Sequence, residues 1–174
     1  MSIVALVGCG GGTGESPGQG GVPSKGVQEG KGEGAEESAP PGGATLAESE
    51  GDGVVMTITS AVRDSGGFLT VSGKVTNNSG VLWSGGEWRG DENELQKNGG
   101  SIAGASLIDK PGKKKYLVLR DTSGRCLCTK FSGGLDSGKS AEWYAQFPAP
   151  PVDTQKVDFQ VGTMPPATIE ISEG

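Results

Sequence analysis

The residues of this chain that could do covalent chemistry are its three cysteines, Cys9, Cys126 and Cys128. The sequence contains no histidine, which removes the commonest general base and the commonest metal ligand. Serine–histidine and cysteine–histidine hydrolases and histidine-containing zinc sites are therefore excluded, and three cysteines are too few for a four-thiolate zinc site. We predict no catalytic residue, no metal site and no cofactor.

The spacing of Cys126-Leu127-Cys128 favours a local disulfide. In a strand, residues i and i+2 face the same side with Cα atoms about 6.6–6.8 Å apart, at the upper edge of what a disulfide tolerates, so the bond needs a pucker or a turn. The alternative is a thiol-redox protein, since Arg125 and Lys130 would favour the thiolate. No CxxC motif or thioredoxin-like βαβ pattern accompanies the pair, and we expect a structural staple.

Cys9 follows the apolar run SIVALVG and precedes three glycines. The run is far too short to cross a bilayer, which takes about 20 residues, but it matches the last part of a signal-peptide hydrophobic region, without the usual basic residues before it. The other interpretation is an incidental cysteine in an unstructured N-terminus. That interpretation gives no reason for the glycines that follow.

Leu6-Val7-Gly8-Cys9 resembles a bacterial lipobox, and all four positions match that pattern. The resemblance implies that the cysteine is diacylated and becomes the mature N-terminus. It also implies that the protein is extracytoplasmic and anchored to the cell membrane by lipid, with the bilayer as a partner through acylated Cys9. Residues 1–9 are accordingly interpreted as a signal-peptide remnant with its lipobox.

Residues 10–53 are predicted to be a disordered Gly/Glu-rich linker. They include 15 glycines, no aromatic residue and a net charge of −6, which is the whole formal charge of the chain. Such a segment buries too little apolar surface to offset about 1–2 kcal/mol of ordering entropy per residue. Because residues 54–174 are neutral overall and phosphate binding needs a basic face, nucleic acid is not an expected partner.

Residues 54–174 are predicted to form an all-β, immunoglobulin-like antiparallel sandwich of about seven strands. Apolar and polar residues alternate in short segments separated by turn signals, and we expect Trp143 in the middle of the core. A type II turn is predicted at Pro111-Gly112, and residues 88–100 are expected to be a loop. The inward faces are predicted to carry Met56, Ile58, Val62, Leu69, Val71, Val75, Ala141, Trp143, Ala145, Phe147, Val157, Phe159, Val161, Ile169 and Ile171.

Two groups of residues are candidates for partner contact. Trp83 and Trp88 flank a glycine-rich segment and could stack on a sugar or a protein, unless they fill the edge of the sandwich. Lys113, Lys114 and Lys115 follow the predicted turn and could meet an anionic surface, although a lysine run at a hairpin end often serves only to discourage edge pairing.

The stretches VTNNSG, KKYLVLRDTSGRCLCT and GKSAEWYAQFPAPP resemble the immunoglobulin-like domain of uncharacterised secreted lipoproteins of actinobacteria. The similarity covers roughly residues 54–172. It implies a fold and a location, since the activity of that family is undefined. We therefore expect a non-enzymatic binding or accessory module in the cell envelope, with an envelope protein or a glycan as its partner. A thiol-redox protein and a structural accessory subunit of an envelope complex are the alternatives.

Overall fold

A computed structural model describes residues 44–174, which form two packed β-sheets. Two short 3-10 helices, Glu87–Arg89 and Asn93–Asn98, lie between the third and fourth strands. In chain order the strands are β1 (Ala47–Gly51), β2 (Val54–Arg63), β3 (Phe68–Asn77), β4 (Ser106–Asp109), β5 (Lys114–Leu117), β6 (Ser140–Pro148), β7 (Lys156–Gln160), β8 (Ala167–Glu170) and β9 (Ser172–Glu173).

The order of the strands confirms the predicted sandwich. The first sheet has the order β1-β2-β3-β6, with β9 running parallel to the end of β2, and the second has the order β5-β4-β7-β8. Within them β2-β3-β6 and β5-β4-β7-β8 correspond to strands A-B-E and C′-C-F-G of the immunoglobulin scheme. The described residues contain nine strands rather than about seven, because β1 and the two-residue β9 carry no apolar alternation that would have revealed them.

The ordered domain begins before residue 54, so the predicted boundary between linker and domain is wrong. β1 lies inside the predicted linker 10–53 and pairs antiparallel with β2, from Ala47 opposite Ile58 to Gly51 opposite Val54. Because backbone hydrogen bonds need no apolar side chain, this strand forms although its composition is that of a linker. Residues 1–9 and 10–43 lie outside the described residues, and Cys9 with them.

The core lies between the two sheets and is centred on aromatic residues from both. The ring of Trp143 on β6 lies 5.3 Å from that of Phe159 on β7, and Phe147 meets the same ring edge to face at 6.2 Å. All three side chains are buried, as predicted. The predicted inward residues that are likewise buried are Met56, Ile58, Leu69, Val71, Val75, Ala145, Val157, Val161 and Ile169, while Ala141 and Ile171 are half-buried.

Val62 is a third predicted core residue that is only half-buried, and the cause is a bulge in β2. The pairing of β2 with β3 shifts by one residue between Ile58 and Ser60, so Ala61 and Arg63 are buried instead and Val62 is half-buried. Gly73 on β3 makes this bulge possible, because a Cβ atom there would lie 1.9 Å from the carbonyl oxygen of Thr57. An extra residue reverses the inward alternation beyond it.

Arg63 joins three parts of the chain at the end of β2. The residue is 6% exposed, and its guanidinium pairs with Glu173 on β9 and donates to the carbonyl oxygens of Pro151 at 3.1 Å and Thr154 at 2.8 Å. A hydrogen bond from a charged donor contributes about 1.5–3 kcal/mol. The side chain therefore holds β9 and the β6–β7 connection against the first sheet.

We predict that Arg63→Met lowers the free energy of unfolding by about 2–3 kcal/mol, because two carbonyl oxygens lose a charged donor while the volume is kept. Glu173→Gln is the matched control. The side chain of Glu173 is 66% exposed, and its loss should cost under about 1 kcal/mol. Urea unfolding of both variants measures the difference, and equal effects would show that the carbonyl contacts contribute nothing.

Candidate functional site

The turn between β4 and β5, residues 110–113, forms what we call the lysine end of the sandwich. It lies at the same end as Arg63, because the carbonyl oxygen of Thr154 accepts from Arg63 while the hydroxyl of Thr154 donates to Asp109 Oδ2 at 3.2 Å. Lys110 is neutralised in this region by Asp158. The pKa of Asp158 lies below its ordinary value because Lys110 and then Thr168 donate hydrogen bonds to it.

The turn at Pro111-Gly112 forms where it was predicted, but not with the predicted conformation. The amide of Lys113 donates to the carbonyl of Lys110 at 3.3 Å, and the left-handed residue is Lys113, with φ 51°, rather than Gly112. Glycine is favoured at 112 for another reason. A Cβ there would lie 2.3 Å from Asp109 Oδ2, and the amide of Gly112 donates to Asp109 Oδ1 at 2.9 Å.

The three candidate lysines are exposed, but they do not form one contact surface. Lys114 lines an open cleft of about 490 Å³ together with Pro151 and Lys156. Lys115 lines a different pocket on the other side of β5. Successive residues of a strand point to opposite faces, so a run of lysines that continues from a turn into a strand divides its charges. Joint contact of all three with one flat partner is therefore not supported.

Lys113→Gly should raise the free energy of unfolding by about 1 kcal/mol. A side chain in the left-handed region carries a cost of roughly 1–2 kcal/mol that glycine avoids, less the extra entropy of glycine in the unfolded chain. Thermal and urea unfolding would measure the gain. The control is Lys114→Gly, one residue along in β5, which should be destabilising. A loss of stability at both positions would contradict the left-handed conformation of Lys113.

Trp83 and Trp88 are not available to a partner, so their prediction as contact residues is wrong. They are 8% and 2% exposed and pack against each other and Phe131, with ring centroids 4.7–5.9 Å apart. Trp83 and Trp88, from the segment between β3 and β4, thus join the core together with Phe131 from the segment between β5 and β6. Residues 88–100, expected to be a loop, contain most of the two 3-10 helices, and Leu95 is buried among them.

The structure joins Cys126 and Cys128 in a disulfide with a Cα–Cα distance of 5.2 Å. The separation is shorter than the strand spacing because this segment is not a regular strand. It makes only single bridges, from Cys126 to Arg120 and from Cys128 to Ala145. Cys128 is buried, and the amide of Cys126 donates to Asn98 Oδ1 at 2.9 Å.

The loop that precedes the disulfide is held by local hydrogen bonds. The pKa of Asp121 lies below its ordinary value because the Ser123 hydroxyl and the Arg125 amide donate to its carboxylate. Asn98, which is buried, donates from Nδ2 to the carbonyl of Gly124 at 3.2 Å. The disulfide thus closes an already ordered corner that connects the 3-10 helices to the edge of β6, as a local staple would.

Replacing both Cys126 and Cys128 by serine should lower the free energy of unfolding by about 1–2 kcal/mol, the loop-closure entropy expected for so short a ring. Urea unfolding of the oxidised protein and the double variant provides the measurement. A redox role would instead show as disulfide-reductase activity of the native protein without a loss of stability in the variant, and that result would contradict a staple.

A small pocket lies between the edge of β5 and the segments on either side of the second 3-10 helix. We call it the mixed-charge pocket. Its volume is about 90 Å³. It is lined by Gly90, Asp91, Glu92, Leu95, Ala103, Gly104, Ala105, Lys115, Leu117, Val118 and Arg120.

Two close approaches of the backbone shape this pocket. A Cβ at Gly104 would lie 2.7 Å from the amide nitrogen of Gly90, and Gly104 donates to the carbonyl of Trp88 at 2.9 Å. Gly90 has φ 82°, which glycine adopts without strain. The two glycines bring the acidic segment against the start of β4, and Ala103 and Ala105 are too small to fill the space that remains.

The charged residues of the pocket come from separate parts of the sequence. Asp91 and Glu92 precede the second 3-10 helix, Lys115 lies on β5, and Arg120 follows it. No periodic pattern links them, so Lys115 is the one residue of the four that the sequence predicts to contact a partner. The signal that was present is the pair of glycines at 90 and 104 beside apolar residues, which indicates a close backbone contact but not its partner.

The described residues contain no group of three histidine, cysteine, aspartate or glutamate side chains that could hold a metal. Among the helices of this part of the chain, none has the length and apolar character needed to cross a membrane.

No family model, no curated protein and no solved structure matches the chain.

Proposed function

We propose that the protein is an extracytoplasmic lipoprotein, anchored to the cell membrane through acylated Cys9, whose immunoglobulin-like domain is a non-catalytic binding module of the cell envelope. The observation that carries the proposal is the arrangement of the domain. The chain enters it from the lysine end, and the mixed-charge pocket lies along β5 and the residues after it, from Lys115 to Arg120. The lipobox-like stretch Leu6-Val7-Gly8-Cys9 supplies the anchor.

The direction of chain entry follows from the register of β1. Ala47 is opposite Ile58 and Gly51 is opposite Val54, so the residues that precede β1 lie towards Arg63. The amide of Leu46 still donates to the carbonyl of Ile58 at 2.8 Å. A tether attached here presents the lysine end to the membrane more readily than the opposite end.

The charge of the lysine end supports this orientation. Lys113 and Lys114 are exposed, and neither takes part in an ion pair among residues 44–174. A lysine close to an anionic lipid surface contributes roughly 1 kcal/mol of attraction. Asp109, which could have cancelled one of these charges, is buried and held by Gly112 and Thr154. The exposed carboxylate left in the neighbouring cleft is that of Asp153.

The mixed-charge pocket supports binding rather than catalysis. It combines charges of both signs at its rim with small apolar residues at its base, a combination suited to recognition. Its volume of about 90 Å³ is far below the roughly 300–1,000 Å³ of sites that take drug-sized ligands. The pocket therefore accepts either a small molecule or only one terminal group of a glycan or an envelope protein.

Acyl labelling in the native host, followed by intact mass measurement of the membrane extract, tests the anchor. We expect a diacylglyceryl group on Cys9 at the mature N-terminus, and release of the Cys9→Ala variant from the membrane fraction. Acyl chains contribute about 0.8 kcal/mol of membrane-binding free energy per buried methylene group, so the loss of both chains should release the protein from the membrane.

The matched control is the double serine variant at Cys126 and Cys128, which leaves the lipobox intact and should remain in the membrane fraction. Membrane association that Cys9→Ala leaves unchanged would overturn the proposed anchor.

A further inference from the structure

We infer that the mixed-charge pocket binds a small zwitterion, namely the free α-amino and α-carboxylate groups of an amino acid with a small aliphatic side chain. The inference rests on the proposed function as a binding module and names the chemical class of its ligand. It follows from the charges, the base and the size of the pocket.

The charges at the rim are balanced but not paired with each other. The pocket is lined by two carboxylates, Asp91 and Glu92, and two cations, Lys115 and Arg120. The ion pairs of residues 44–174 are Arg63–Glu173, Lys110–Asp158 and Lys156–Glu170, and none of them involves the pocket. Two cations and two carboxylates that line one small pocket without an ion pair can each take a ligand group of opposite charge.

The base of the pocket is apolar and closed. Leu95, Ala103, Ala105 and Val118 are all buried, from 1% to 7% exposed. A methyl or similar group placed against them would lose its contact with water at no polar cost. The volume of about 90 Å³ leaves no room for a large side chain.

The edge of β5 adds hydrogen-bonding capacity. β5 is the outermost strand of its sheet, so part of its backbone N–H and C=O groups has no partner strand. Lys115 and Leu117 on this strand line the pocket. A carboxylate bound between Lys115 and Arg120 would therefore lie beside the edge strand of this sheet.

A ligand with a single charge fits this arrangement less well. A simple carboxylate would face Asp91 and Glu92 without a cation of its own, and a simple amine would face Lys115 and Arg120 in the same way. Like charges held close together repel, and because all four rim side chains are exposed, this repulsion is strongest at low salt. The zwitterion satisfies both halves of the rim, so the pocket should prefer it to either of its charged fragments.

In the experiment, small ligands are titrated into the purified full-length chain. Binding is monitored through the amide chemical shifts of the pocket residues. The probes are glycine and alanine, with propionate and ethylamine as fragments that carry one charge each and leucine and tryptophan as larger zwitterions. We expect glycine and alanine to bind with Kd of about 0.1–10 mM, a range that a ligand of five or six heavy atoms can reach. The fragments and the larger amino acids should bind at least tenfold more weakly.

Substitutions inside and outside the pocket test whether alanine binds there. Arg120→Gln and Asp91→Asn should each weaken the binding of alanine at least fivefold. Glu94→Gln and Lys97→Gln are the matched controls, because both residues are exposed on the second 3-10 helix and do not line the pocket, and they should leave Kd unchanged. Circular dichroism and thermal unfolding of each variant establish that it is folded.

Three results would each overturn the inference. The first is equal binding of alanine, propionate and ethylamine, and the second is no binding of glycine or alanine at concentrations up to 50-fold above the expected Kd range. The third is an equal effect of the pocket variants and the control variants on Kd. The titration uses purified protein and does not depend on acylation. Failure of the ligand class would therefore leave the anchor at Cys9 standing, and failure of the anchor would leave the titration interpretable.

Discussion

The contact between Trp143 and Phe159 across the two sheets is the interaction on which the rest of the structure depends. These side chains come from β6 and β7 and fix the distance and the angle at which the sheets pack. Burial of such rings supplies the dominant favourable term in folding, about 25 cal/mol for each Å² of apolar surface removed from water. The loops that carry the pocket and the disulfide are positioned only because this core holds β3, β4 and β6 in place.

Beyond the core, the two ends of the sandwich are built from different interactions. The end near Arg63 is held by a buried guanidinium, two carbonyl oxygens and an exposed carboxylate. At the connection between β3 and β4, Trp83 and Trp88 instead pack with Phe131 of the β5–β6 connection and extend the core. The first arrangement leaves lysines free at the surface, and the second supports the acidic segment that lines the pocket. The lysine end and the mixed-charge pocket are therefore separate features, as the proposed function of an anchored binding module requires.

The mixed-charge pocket and the Cys126–Cys128 disulfide are connected through Arg120 and Asn98. Arg120 lines the pocket and also pairs with Cys126, so the disulfide corner helps to fix the position of one of the two pocket cations. Asn98 ties the same corner to the second 3-10 helix, whose Leu95 lies at the base of the pocket. A structural role for the disulfide is therefore consistent with a binding role for the pocket.

The sequence by itself determined the class of the fold and most of the core, because alternation with a period of two survives in β3, β6 and β7 and depends only on which side chains avoid water. It could not determine the bulge after Ile58, the pairing of β1 or the burial of Trp83 and Trp88. The bulge and the pairing of β1 depend on which backbone lies opposite. Gly73 faces the carbonyl oxygen of Thr57, and the hydroxyl of Ser49 on β1 donates to the carbonyl of Pro165 at 2.7 Å. The pocket was decided by tertiary structure alone, since Asp91 and Arg120 meet only through contacts between distant segments that local patterns do not record.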